Sequence, residues 1–135
     1  CRLFPEAWVW HKRRTDFRRF WRQVYNSGYA RINLWRKYPE ALKPVHALPA
    51  VFTIGVSALV VCCLLGIGGW LLGAGCRALV AAALAMTPIV LYALLILIDS
   101  AVRNRSLIVG LYSVPAAFVQ LMGYGLGFIE AWWKR

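Results

Sequence analysis

A 135-residue chain that is 61% hydrophobic, with a mean hydropathy of +0.58, is too apolar for an ordinary soluble domain. Its net charge of +11 comes from 16 Lys and Arg against five acids, and eleven of the cations lie in residues 1–44. A basic excess beside long apolar runs argues against nucleic acid and for a cytoplasmic membrane face, anionic lipid or a phosphorylated ligand.

The first eleven residues, CRLFPEAWVWH, predict an extended segment. Pro5 interrupts it, and 7–10 form a short β-prone run ending at His11. One short strand cannot stand alone, and the residues ahead of the first apolar run are too few to bury a core. The first 40 residues show no signal peptide. The expectation is the C-terminal piece of a longer protein, with residues 1–15 closing an upstream domain.

A long helix is predicted over 16–38, with Thr15 or Asp16 as N-cap and Pro39 as its stop. Steps of 100° put Phe17, Phe20, Trp21, Val24, Tyr25, Gly28, Ile32, Trp35 and Tyr38 on one face. Arg18, Arg19, Arg22, Asn26, Asn33, Arg36 and Lys37 share the other, solvated face. Such a helix suits a membrane interface. Arg31 falls inside the aromatic arc. Two readings stand: it snorkels to lipid phosphate, or it points into a site and binds an anion. Residues 16–44 are therefore an amphipathic interface helix and linker.

The region 45–135 holds three apolar runs, at about 50–72, 78–98 and 107–129, none carrying Asp, Lys or Arg. Crossing a bilayer core takes about 20 helical residues, so each run is long enough. The fold class is mostly α and membrane-bound: a short extended segment, an interface helix and three transmembrane helices. Turns are expected at 73–77 and 99–106. Gly69 with Gly73, and Gly123 with Gly127, have the spacing for close helix approach. Pro88 and Pro115 lie within runs, and Gln120 is expected to hydrogen-bond between helices. Cys62, Cys63 and Cys76 read as packing residues, and His46 as an interface residue.

The positive-inside rule makes the N-terminal segment cytoplasmic. Arg77 then lies outside, and Arg103 and Arg105 inside. Three crossings would put Lys134 and Arg135 outside, against the rule, unless 124–135 lies flat at the interface. Both arrangements stay open.

Glu6, Asp16, Glu40, Asp99 and Glu130 are scattered, so no DxD or close carboxylate pair exists for general acid–base work. The sequence has no GxSxG, P-loop, HExxH or Cys/His ligand spacing. His11, at a strand end before three cations, suits a metal or diphosphate contact, or equally an exposed position in a basic loop.

The order AWVWHKRRTDFRRFWRQVYNSGYAR, then hydrophobic spans, then GYGLGFIEAWWKR resembles the C-terminal part of bacterial membrane-bound family-2 glycosyltransferases. The resemblance implies an upstream nucleotide-sugar domain with a DxD motif, a divalent metal (Mg or Mn) and a general base, none of which has a counterpart here. This chain would then be inactive alone. The resemblance implies that His11 lies near the diphosphate, where it could also meet the metal, and that helix 16–38 packs under the sugar-transfer site. A charged diphosphate needs cations, so Arg18, Arg22, Gln23 and Arg31 on that helix join His11 as candidate diphosphate-binding residues. Some relatives carry QxxRW on that helix; here Gln23 is followed by Val24, Tyr25, Asn26 and Ser27. The missing Arg-Trp counts against processive polysaccharide synthesis. The implied partners are the upstream catalytic domain, anionic membrane lipid, a nucleotide-sugar and a membrane-associated acceptor, at the bacterial inner membrane. The alternative is a non-catalytic scaffold or flippase-like subunit that binds anionic lipid through its basic helix.

Overall fold

The computed structural model describes residues 16–73 and 75–134. The extended segment expected over 1–15, His11 included, lies outside the described residues, as does Arg135.

Helix α1 (Phe17–Lys37) matches the predicted amphipathic helix. Asp16 caps it, its Oδ1 accepting the Arg18 N–H at 2.9 Å. Tyr38 turns extended because Pro39 cannot continue the helix. Two short 3-10 turns, Pro39–Ala41 and Pro44–Ala47, lead into α2 (Leu48–Leu71). Helices α3 (Cys76–Asn104) and α4 (Leu107–Trp133) follow. The stretch from Pro44 through α2, together with α3 and α4, gives three helical segments long and apolar enough to cross a membrane. They leave large side chains such as Leu64, Leu65, Leu84 and Leu95 more than 60% exposed. Lipid, not a protein core, is the natural cover for that surface.

The connections are shorter than the runs of apolar residues imply. Helix α3 extends to Asn104, so the turn expected at 99–106 shrinks to Arg105 and Ser106. Asp99 pairs with Arg103 at 2.8 Å, and the Asn104 amide donates to the Ser100 carbonyl at 2.9 Å, which holds the last polar turn helical. Arg105 takes the left-handed C-cap conformation (φ 50°), and the Ser106 hydroxyl caps α4. Between α2 and α3, the helix likewise resumes earlier than expected, at Cys76.

Contacts fix the direction of each helix. Gly66 lies against Ala78 and Ala82, and Phe52 meets Tyr92 at 5.2 Å, so α2 and α3 are antiparallel. Gly110 lies against Leu97 and Ala101, Ser113 meets Ser100 at 2.6 Å, and Phe118 meets Tyr92 at 5.7 Å. So α3 and α4 are antiparallel too. Three successive crossings would then make α4 parallel to α2. Instead positions 118 to 131 of α4 all meet the first turns of α2: Phe118 faces Phe52, Gly125 faces Pro49 and Thr53, and Phe128 and Ala131 share a core with Ala50. Helix α4 therefore passes obliquely over the α2–α3 hairpin. Its two ends come to the same end of that hairpin, the end where α2 begins.

The aromatic face of α1 runs alongside this second half of α4, parallel to it. Gly28 sits against the Tyr124 and Phe128 backbone, Gly127 against the Tyr25 and Tyr29 backbone, and Gly123 against Trp21 and Val24. Trp35 stacks on Trp132 at 5.0 Å and 4°. Backbones approach this closely because a glycine on one helix or the other leaves no Cβ at each contact. The packed core is small: Ile32, Ala50, Phe128 and Ala131, flanked by Trp35, Leu42 and Ala47.

Several expectations are corrected by this packing. Gly123 and Gly127 do mediate close approach, but to α1, not to a neighbouring span. Gly73 lies beyond the end of α2 at φ 88°, where a Cβ would meet nothing within 4 Å, and Gly66 is the residue that lets α3 approach. Gln120 is exposed, and its side chain makes no hydrogen bond among the described residues. Its place is taken by Thr53, 2% exposed, whose hydroxyl lies 2.8 Å from the Pro49 carbonyl and 3.4 Å from the Leu121 carbonyl of α4. Pro88 and Pro115 stay inside uninterrupted helices. Cys62, Cys63 and Cys76 are free thiols.

Candidate functional site

Because α4 takes up the aromatic face of α1, the arginine face is left outward. Arg19, Arg22, Gln23 and Asn26 line a shallow cleft of about 280 Å³. Arg18, Trp21, Arg22, Tyr25 and Asn26 line an adjoining one of about 450 Å³. Arg18, Arg19 and Arg22 make no ion pair among the described residues. Guanidinium groups so presented are suited to phosphate oxygens, which they bind through charge-assisted, often bidentate hydrogen bonds.

Tyr25 joins this surface to a third cleft of about 420 Å³ between α1 and α4, lined also by Ile129, Glu130, Trp133 and Lys134. The Tyr25 hydroxyl donates to Glu130 Oε2, and Lys134 Nζ donates to Glu130 Oε1 at 2.6 Å. That hydrogen bond, with the carboxylate charge behind it, raises the Lys134 pKa above the ordinary lysine value. The cleft thus carries a phenol, a carboxylate and an ammonium group beside an indole.

The structure brings Arg18, Arg22 and Gln23 onto one surface and separates Arg31 from them. Nine residues of helix, about 13 Å of rise, lie between Arg22 and Arg31. Arg31 is half-buried beside the fully buried Ile32, which packs with Ala50 at the root of α2. His11 lies outside the described residues. Among those described, no group of three or more His, Cys, Asp or Glu could hold a metal ion.

Arg36 belongs elsewhere than its sequence position implies. Helical periodicity assigns it to the solvated face; its Nη2 instead donates to the Ala131 carbonyl and, at 2.7 Å, to the Lys134 carbonyl. It caps the C-terminus of α4, where the last carbonyls have no partner within the helix. Tyr25, Glu130 and Lys134 are not legible as a group in the sequence, because 105 residues separate the hydroxyl from its carboxylate. The one available signal is that Glu130 is among only five acids.

No protein family, no curated protein and no solved structure matches this chain.

Proposed function

We propose that this chain is the membrane-anchoring region of a glycosyltransferase that moves a sugar from a nucleotide-sugar donor to a membrane-associated acceptor. The observation that carries the reading is the clamping of α1. Glycine contacts fix its aromatic face on α4 and leave Arg18, Arg19 and Arg22 as an outward cationic shelf beside the apolar hairpin. A leaving nucleoside diphosphate needs such donors, and a lipid-carried acceptor needs them held at the bilayer surface.

Charge placement supports an orientation with this shelf in the cytoplasm. Lys43, Arg103, Arg105 and Lys134 lie with α1 at one end of the α2–α3 hairpin, and Arg77 lies at the other. The oblique path of α4 removes the conflict over Lys134 that three full crossings create. On this reading the metal-binding DxD motif and the general base belong to a domain upstream, at a bacterial inner membrane.

The test is sugar transfer by the full-length polypeptide in membranes, with UDP-, GDP- and dTDP-sugars. Arg18→Gln/Arg22→Gln is expected to lower turnover at least tenfold while leaving expression and thermal midpoint intact. Full activity in that variant, or a complete reading frame without a nucleotide-sugar domain, overturns the proposal. The open arginines also fit a second reading, a scaffold that holds anionic lipid. It expects salt-sensitive binding to anionic vesicles and no transfer with any donor.

A further inference from the structure

We propose that the cleft between α1 and the end of α4 is a saccharide subsite, in which Tyr25, Glu130 and Lys134 take the hydroxyls of one neutral sugar ring and the Trp133 indole takes its C–H face. The assignment rests on the chemistry of the cleft and stands whether or not the chain serves a transferase.

The polar groups of this cleft touch one another. Glu130 Oε2 accepts from the Tyr25 hydroxyl, and Glu130 Oε1 accepts from Lys134 Nζ at 2.6 Å. Both carboxylate oxygens keep further acceptor capacity, the ammonium spends only one N–H on Glu130, and the phenol oxygen is still free to accept. The Glu130 side chain is 40% exposed and that of Lys134 65%, so this capacity is open to a ligand. The backbone beneath is fixed. Arg36 Nη2 donates to the Ala131 and Lys134 carbonyls, and the Lys134 N–H donates to the Glu130 carbonyl at 2.9 Å.

The mixture of donors and acceptors decides the ligand class. A phosphate asks for donors alone and a metal ion for acceptors alone. Here a carboxylate and an ammonium offset each other's charge. They stand 2.6 Å apart, within reach of one oxygen that both gives and takes a hydrogen bond, which is the property of a hydroxyl.

The rest of the lining is apolar: Leu126, Ile129 and Trp133. Trp132 is taken up by its stack on Trp35, whereas Trp133 is 86% exposed. The negative π face of an indole attracts the weakly positive C–H face of a sugar ring. The cleft, about 420 Å³, falls in the size range of small-ligand sites, about 300–1,000 Å³. Tyr25 also lines the cleft that holds Arg18 and Arg22, so the sugar lies beside the cationic shelf. A soluble glycoside and a glycolipid headgroup share the recognised chemistry, and the experiment separates them.

The chain has seven tryptophans, so ¹⁵N-tryptophan labelling gives seven indole N–H signals, of which Trp133→Phe and Trp70→Phe assign the two needed. The full chain is placed in phosphatidylcholine nanodiscs. In one arm, methyl glycosides of glucose, galactose and N-acetylglucosamine are titrated in. In the other, monoglucosyl- or monogalactosyl-diacylglycerol replaces phosphatidylcholine stepwise. The expected result is a saturable shift of the Trp133 signal in at least one arm. A response to glycosides alone assigns a soluble sugar, a response to glycolipid alone assigns a headgroup, and a response in both assigns the ring on either carrier. Trp70, exposed near the far end of α2, is the internal reference.

Lys134→Gln is expected to weaken the response about tenfold and Tyr25→Phe about fivefold, the shares of a charge-assisted and a neutral hydrogen bond. Ser27→Ala is expected to leave it unchanged, since that hydroxyl bonds the Gln23 carbonyl of its own helix. Near-ultraviolet circular dichroism of the Trp35–Trp132 stack establishes that the variants are folded. A Trp133 signal silent to every sugar overturns the site. So does a shift that Trp70 shares in size, the mark of general solvent or lipid contact, or one that neither Lys134→Gln nor Tyr25→Phe weakens. Sugar binding by a full-length polypeptide that transfers nothing keeps this site and removes the transferase reading.

Discussion

Gly28→Ala isolates what joins the basic helix to the membrane region. A Cβ at position 28 would overlap the Tyr124 carbonyl oxygen, lie 2.9 Å from its carbon and 3.1 Å from the Phe128 nitrogen. These are backbone atoms of a helix interior, so no side-chain rotation can make room; α1 and α4 must move apart. Overpacking of this kind costs roughly 1–3 kcal/mol. Replacing a helical glycine by alanine returns about 0.8–1.0 kcal/mol in propensity. The net expectation is a loss of about 0–2 kcal/mol, centred near 1, a fall in thermal midpoint on the order of 4 °C. Gly68→Ala is the control, since nothing lies within 4 Å of its Cβ position and only the propensity gain remains. The assay is fluorescence-detected size exclusion of the heated chain in detergent, with near-ultraviolet circular dichroism reporting the Trp35–Trp132 stack. Opposite signs for the two variants are expected. A Gly28→Ala midpoint that rises with Gly68→Ala refutes the close α1–α4 contact.

Three further outcomes follow from the same geometry. Arg36→Ala is expected to cost about 1 kcal/mol by uncapping α4, and to speed hydrogen exchange at the C-terminal turn of α4; unchanged exchange there removes the cap. The Lys134–Glu130 contact raises the Lys134 pKa, so its contribution is present below the ordinary lysine value and is lost as pH rises through the raised one. Lysine side-chain NMR should show Glu130→Gln returning that titration downward, and an unmoved Lys134 contradicts the pairing. Finally, in a background with all four cysteines replaced, Ser27→Cys and Lys134→Cys should react with an impermeant maleimide from one side of the membrane and Arg77→Cys from the other. Labelling of positions 134 and 77 from the same side would restore three full crossings.

Local chemistry made much of the molecule legible in the one-dimensional chain. The Asp16 cap, the 3.6-residue spacing of aromatics and the Pro39 stop define α1 within a residue or two, because each acts over a single turn. The apolar runs define three membrane-length helices because bilayer thickness is a length that can be counted in residues. Periodicity also separated Arg18 and Arg22 from the aromatic face. It could not say what that face packs against, and lipid and α4 are equally apolar partners. The path of α4 is a tertiary outcome, set by where Gly110, Gly125 and Gly127 allow close approach to three different helices. The same holds for Arg36 on the carbonyls of α4 and Tyr25 on Glu130. Each joins groups 95 to 105 residues apart, and no turn-scale preference carries information over that distance.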